Sequence, residues 1–169
     1  MGNLVIRTAG PGDLMAVLAI HDQTASPAVS AKAATDLQQR TWSRMQRSED
    51  LTVYLAQIDD EVVGTATLMI MPNITYRCAP TAFIEAVVVA DKHRRQGIAT
   101  AILRQLLDDS RTAGCNKVQL LSHKRHACDG AHRLYTSLGF EAEAEGFRLY
   151  LQEVPAAVQA ARPTQRDSR

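Results

Sequence analysis

The stretch "FIEAVVVADKHRRQGIATAILRQLLDDS", residues 83–110, decides how this chain is read. Its first part is β-branched and nearly all apolar, which predicts a strand over residues 81–90 buried on both faces. After Gly97 the apolar residues Ile98, Ile102, Leu103, Leu106 and Leu107 recur at helical spacing, so a helix follows with one side on the core. Gly114 is a natural end for it. Between strand and helix lies a basic turn with Lys92, His93, Arg94 and Arg95, then Gly97 and the small Ala99. Such a loop points several backbone N–H groups at one place, and the helix dipole adds partial positive charge there. Gly97 removes a Cβ that would block an approaching phosphate. Arg94 and Arg95 add guanidinium donors for phosphate oxygens. The loop thus suits a pyrophosphate, with a solvated turn as the plain alternative. It lacks both G-x-G-x-x-G and G-K-[ST], and it lies mid-chain, where a dinucleotide fold would place it first.

The flanking sequence builds a mixed α/β (α+β) domain over residues 1–153, with a flexible tail over 154–169. Residues 3–9 read as a strand, and Asp13 as the N-cap of a helix over 14–23. A second helix covers 31–46, with Leu37, Trp42 and Met45 toward the core. Residues 51–58 and 61–70 form a hairpin across Asp59 and Asp60. Residues 71–80, with a proline near each end, form a loop. A strand follows at 116–122 and a short helix at 130–139. Two short strands then flank Gly146 in "FEAEAEGFRLYLQEV", residues 140–154.

Bulk properties exclude several functions. A chain of 169 residues suits one core. The net charge of +1 gives no general attraction to nucleic acid or anionic membrane, so any anion site is local. The basic residues lack the interleaved aromatics of a nucleic-acid binder. Three cysteines without Cys-x-x-Cys argue against both a disulfide framework and a zinc site. His123, His126 and His132 lack the usual spacing of a single-helix zinc pair, so no metal is expected. Cys128, in the same loop, has no evident base to make it a nucleophile. The N-terminus lacks a secretory h-region, and no apolar run is long enough to span a bilayer, so the expected location is cytoplasmic. Glu85 stands out, because a carboxylate in a buried strand is costly without a task or a partner; a structural ion pair, or a place on a wet sheet face by alternation, is the plain alternative.

Two segments resemble the signatures of the GNAT family of N-acetyltransferases. "RRQGIA", residues 94–99, matches Arg/Gln-x-x-Gly-x-Gly/Ala through Arg94, Gly97 and Ala99. "AHRLYTSLGFE", residues 131–141, is similar to A-x-x-x-Y-x-x-x-G-F. The resemblance implies a central, mostly antiparallel mixed sheet of about seven strands flanked by about four helices. It implies an N-acetyltransferase that moves the acetyl group of acetyl-CoA, a co-substrate, to a primary amine of a small molecule or peptide. Arg94 and the backbone amides of Arg95, Gln96, Gly97, Ile98, Ala99 and Thr100 would hold the CoA pyrophosphate. Val87, Val88 and Val89 would hydrogen-bond the pantetheine arm, which can dock on a strand edge as an added strand does. Tyr135 would be the general acid, and Glu85 the base or the anchor of the substrate ammonium. Two positions depart from the pattern: Ala131 stands where many relatives carry an asparagine that contacts pantetheine, and Lys92 stands at a common proline. A homodimer fits the family. The competing expectation is a non-catalytic acyl-CoA-binding module of the same fold.

Overall fold

The computed structural model describes residues 2–23, 33–123, 130–149 and 151. Five strands form one sheet: β1 (Leu4–Thr8), β2 (Leu51–Ile58), β3 (Glu61–Met71), β4 (Thr81–Val89) and β5 (Lys117–Leu120), in spatial order β1-β2-β3-β4-β5. The first three pairings are antiparallel and β4–β5 is parallel. Among the described residues four α-helices accompany them: α1 (Leu14–Asp22), α2 (Asp36–Gln46), α3 (Ile98–Thr112) and α4 (Ala131–Ser137). The β2–β3 hairpin turns through Asp59, in the left-handed region at φ +52°, and Asp60. The parallel β4–β5 pair needs a crossover, and α3 supplies it.

The two faces of the sheet bury different residues. Tyr54, Ala56, Ala66, Leu68, Ala82 and Ile84 face α3, which presents Ile98, Ile102, Leu103 and Leu106, each 2% exposed or less. Full burial of each such side chain contributes about 2 kcal/mol. The Tyr54 hydroxyl donates to Asp109 Oδ2 at 2.5 Å, tying β2 to α3. Burial first, then the Asp109 carboxylate, push the Tyr54 phenol above its ordinary range, so it stays a donor. On the other face Val53 and Leu55 pack with Val17 of α1 and Trp42 of α2. The Trp42 indole donates to the Pro11 carbonyl at 3.1 Å.

Several expectations change. Asp13 precedes α1 but does not cap it through its side chain; its carboxylate instead accepts from Arg7 (2.7 and 2.8 Å) and from Gly10 N–H (2.7 Å). In its described part α2 starts at Asp36, and Thr35 and Gln38 form a reciprocal capping box. Leu37 is 67% exposed rather than buried. Of the two final strands, residues 141–149 contain none, so the described sheet has five strands rather than about seven. Phe147, Leu149 and Leu151 stand 90%, 83% and 89% exposed. The tail expected at 154–169 lies outside the described residues, as do His126 and Cys128. Among the described residues no helix is long and apolar enough to cross a membrane.

Candidate active site

The site begins where β4 stops being an ordinary strand. Residues 81–84 pair with all four residues of β5, but β4 runs on to Val89 while β5 ends at Leu120. From Glu85 onward the edge of β4 turned away from β3 therefore has no partner among the described strands. The register with β3 also slips here: Thr67 pairs with Glu85, yet Thr65 pairs with Val88. The extra residue is a β-bulge, and Ala86 carries it at φ +55°. A left-handed non-glycine residue costs about 1–2 kcal/mol, a strain typical of functional sites.

The bulge overturns the expectation of a strand buried on both faces. Only the first half of β4 is buried, Glu85 and Ala86 are exposed, and the three valines are half-buried. Glu85 is therefore a solvated carboxylate. It pairs with Thr67, on the α1–α2 side of the sheet, whereas Val87 and Val89 pack into the α3 core.

Beyond Val89 the chain makes a 3₁₀ turn over Asp91–His93 and then enters α3. Arg95 (φ +59°) and Gly97 (φ +81°) both adopt left-handed backbone. A Cβ on Gly97 would meet nothing within 4 Å, so the loop is open in front of the helix. The first α3 backbone bond runs from Ala101 N to Gly97 O at 3.0 Å. The N–H groups of Ile98, Ala99 and Thr100 precede that ladder and point out of the helix end. The turn is braced from outside. Lys92 pairs with Glu61 at 2.7 Å, and that bond holds the Glu61 carboxyl below its usual range. Gln96 Nε2 donates to the Lys92 carbonyl at 3.2 Å. Arg94 folds back onto Asp91 at 2.7 Å and donates to the Val89 carbonyl at 3.4 Å. Arg95 pairs with no described acid, so of the two arginines it is the one whose guanidinium remains for an incoming anion. The sheet side is tight: a Cβ on Gly64 would lie 3.1 Å from Ile102 Cδ1 and 3.2 Å from the Val88 carbonyl oxygen.

Tyr135 lies on α4 and packs against the α3-side core, edge-on to Phe140 with ring centroids 6.0 Å apart. Ala131 opens that helix, behind Gly130 at φ +97°. The structure thus sets Val87, Val89, Ile98 and Tyr135 against one core on the α3 side of the sheet, with Glu85 on the opposite face. Sequence reasoning missed Ala86, since no glycine or asparagine marks the bulge. It also missed Gly64, whose signal was a lone glycine within a strand pattern. Cys115 shows no sign of a reactive thiol, because burial raises its pKa.

The family model of the acetyltransferase (GNAT) family matches residues 15–140. A glucosamine 6-phosphate N-acetyltransferase of Trypanosoma brucei brucei is 35% identical over 99 residues, 59% of this chain. The match spans 64% of that relative's length, slightly under two thirds. An aminoglycoside N(6')-acetyltransferase type 1 of Serratia marcescens is 30% identical over 102 residues, covering 59% of this chain and 68% of the relative. A solved Trypanosoma brucei acetyltransferase shares the fold with a TM-score of 0.73 at 28% identity, covering 88% of this chain and all of the other.

Proposed function

The chain belongs to the GNAT acetyltransferase family, and from that premise we propose that it is an acetyl-CoA-dependent N-acetyltransferase acting on a primary amine by direct attack. One observation carries the reading: β4 opens away from β5 over the residues that lead into the glycine-headed N-terminus of α3. A pantetheine arm has amides to offer the unpaired edge of 87–89. A diphosphate suits the outward N–H groups at Gly97–Thr100 together with Arg95. The open volume before Gly97 supports this fit.

The two sides of the sheet then receive different parts of the reaction. An ordinary alkylammonium has a pKa of about 10.4, so the acceptor must lose a proton before it attacks. Glu85, exposed on the α1–α2 side, anchors the ammonium and takes that proton directly or through water. The amine nitrogen bonds to the thioester carbonyl carbon, the C–S bond breaks, and the amide forms. The departing thiolate takes a proton from Tyr135 on the α3 side, since a thiol of pKa about 8.5 leaves more readily with a donor beside it. Solvent later restores the phenol proton.

Thiol release from acetyl-CoA, followed with and without an amine panel, tests the proposal. Amine-stimulated release is expected. Tyr135→Phe should lower turnover by about 10²–10⁴ while CoA affinity stays within about twofold; unchanged turnover would remove the proton-donor role. CoA binding without amine-stimulated release would favour the non-catalytic module instead.

A further inference from the structure

We infer that the acceptor is a singly charged amine on an alkyl or aryl body, held on the open α1–α2-side face of β3, β4 and β5. This rests on the acetyl-transfer reading and names the substrate class for the same site. Cross-strand register fixes which side chains share the face with Glu85. Thr67 pairs with Glu85, Met69 with Phe83, and Met71 with Thr81. On the far side, Gln119 pairs with Phe83 and Lys117 with Thr81. These residues alternate with Leu68, Ile84, Ala82, Val118 and Leu120, which belong to the α3 core, so they point the other way.

Around Met69, Phe83 and Leu121 this floor is apolar and open, while Thr81, 2% exposed and accepting from Asn73, closes its far end. Met69 is 38% exposed, Met71 41%, and Leu121, just beyond β5, 57%. Phe83 lies half-buried between them in the sheet. Thioether and aromatic side chains adapt to an apolar ligand through dispersion and sulfur–ring contacts. Exposed methionines beside a carboxylate match an amphipathic cation: the ammonium at Glu85, the apolar body across Met69 and Phe83 toward Met71.

The charge inventory disfavours the acceptors in the two curated relatives' names. A sugar phosphate needs a cationic cluster, yet β3, β4 and β5 bring no arginine to this face. Lys117 stands at the register of Thr81, four residues from Glu85, about 13 Å along the strand, with its ammonium over the Tyr76 ring at 5.5 Å from the centroid. An aminoglycoside needs several carboxylates, whereas β4, β5 and the facing part of β3 set Glu85 alone here, and Glu145 adjoins Gly146 at the floor's Leu121 edge, where a Cβ on that glycine would lie 2.9 Å from Leu121 Cδ2.

The test is steady-state kinetics on the full chain at saturating acetyl-CoA, with propylamine, hexylamine, phenethylamine, glucosamine 6-phosphate and sisomicin as acceptors. Hexylamine and phenethylamine should exceed propylamine in kcat/KM by roughly tenfold, as expected for about three further methylenes half-buried on the face. They should exceed the sugar phosphate and sisomicin by at least as much. Met69→Glu, at an exposed position that the fold tolerates, should lower kcat/KM for the two apolar amines by roughly tenfold and leave the acetyl-CoA KM unchanged. Preference for glucosamine 6-phosphate or sisomicin, or indifference to chain length, would overturn the acceptor class while leaving acetyl transfer intact. Absence of thiol release with every amine would overturn acetyl transfer itself, and this inference with it.

Discussion

Gly64→Ala probes a tight approach between the sheet and α3. Gly64 pairs with Val89 at the end of β4, directly beneath the start of α3. Its backbone is not left-handed, so alanine meets no conformational bar, and replacing a strand glycine would by itself stabilise by about 0.5–1 kcal/mol. Packing opposes this. The new methyl would lie 3.1 Å from Ile102 Cδ1, 3.2 Å from the Val88 carbonyl oxygen and 3.4 Å from Ile98 Cγ2. Ile102 is wholly buried and Ile98 is 2% exposed, so neither swings away freely. Val88 O is main chain, so relief there means moving β4. Overpacking of this kind costs about 1–3 kcal/mol. The penalty wins, leaving a net loss of roughly 1 kcal/mol or somewhat more, which for a chain this size is about 2–4 °C in Tm per kcal/mol. The displaced segment is the one proposed to receive pantetheine, so the KM for acetyl-CoA should rise several-fold in the same variant. Differential scanning calorimetry and acetyl-CoA titration read the two effects. A Tm equal to or above wild type, with an unchanged KM, would show that the contact is slack and would refute the reasoning.

Two other outcomes follow from local geometry. Gly97→Val places a β-branched residue at φ +81° and fills the open space before α3, so calorimetry should show CoA affinity falling at least tenfold; unaltered affinity would exclude the loop as the diphosphate site. The Arg7–Asp13 pair predicts a specific acid sensitivity. The Arg7 hydrogen bonds hold the Asp13 carboxyl at about 2 rather than 3.8, a shift worth about 2.4 kcal/mol if undiluted. With Arg7 36% exposed, solvent screening reduces this to about 1 kcal/mol. The sign is that of a depressed acid: the contribution is complete above pH 4 and disappears as pH falls toward 2. Asp13→Asn should therefore lose about 1 kcal/mol at pH 7 and show a flatter urea-midpoint profile between pH 4 and 2; a parallel profile would place the acid sensitivity elsewhere.

The parts legible in the sequence were those with a strong local period. Ile98, Ile102, Leu103 and Leu106 marked α3, and all four are buried. The β2–β3 hairpin was equally plain. Leu37 misled because it lies five residues before Trp42, about 140° round the helix, so the two cannot share a face. Trp42 and Met45, three apart, do pack together. The segment after Phe140 alternates correctly for a strand, but alternation says nothing about a partner edge. Its first half sets Glu141, Glu143 and Glu145 against alanines that bury little, and no described strand pairs with it. The glycine-led loop between β4 and α3 was readable as a bare, open turn from residue size. The environment of Glu85 stayed open between an ion pair and a wet sheet face, because an uninterrupted apolar run hides the residue at which β4 changes phase.

That change of phase is what makes one short strand serve two purposes. In a regular strand Glu85, Val87 and Val89 would share a face, and Ala86 and Val88 the other. The α3 side would then receive a single valine, and the carboxylate would lie in line with two more. Inserting Ala86 as the extra residue turns Val87 and Val89 into the α3 core while Glu85 stays on the open side with Thr67. The same insertion bends the strand where its pairing with β5 ends, leaving backbone groups exposed for a ligand. A left-handed alanine costs about 1–2 kcal/mol, while the one further half-buried valine that it brings to the α3 core returns about 1 kcal/mol. The strain is thus partly offset within the strand that bears it, and the Glu85 side chain remains exposed on the open side. A substitution that straightened β4 at Ala86 would therefore have to damage packing and the chemistry proposed for Glu85 together, because the same residue sets the phase for both.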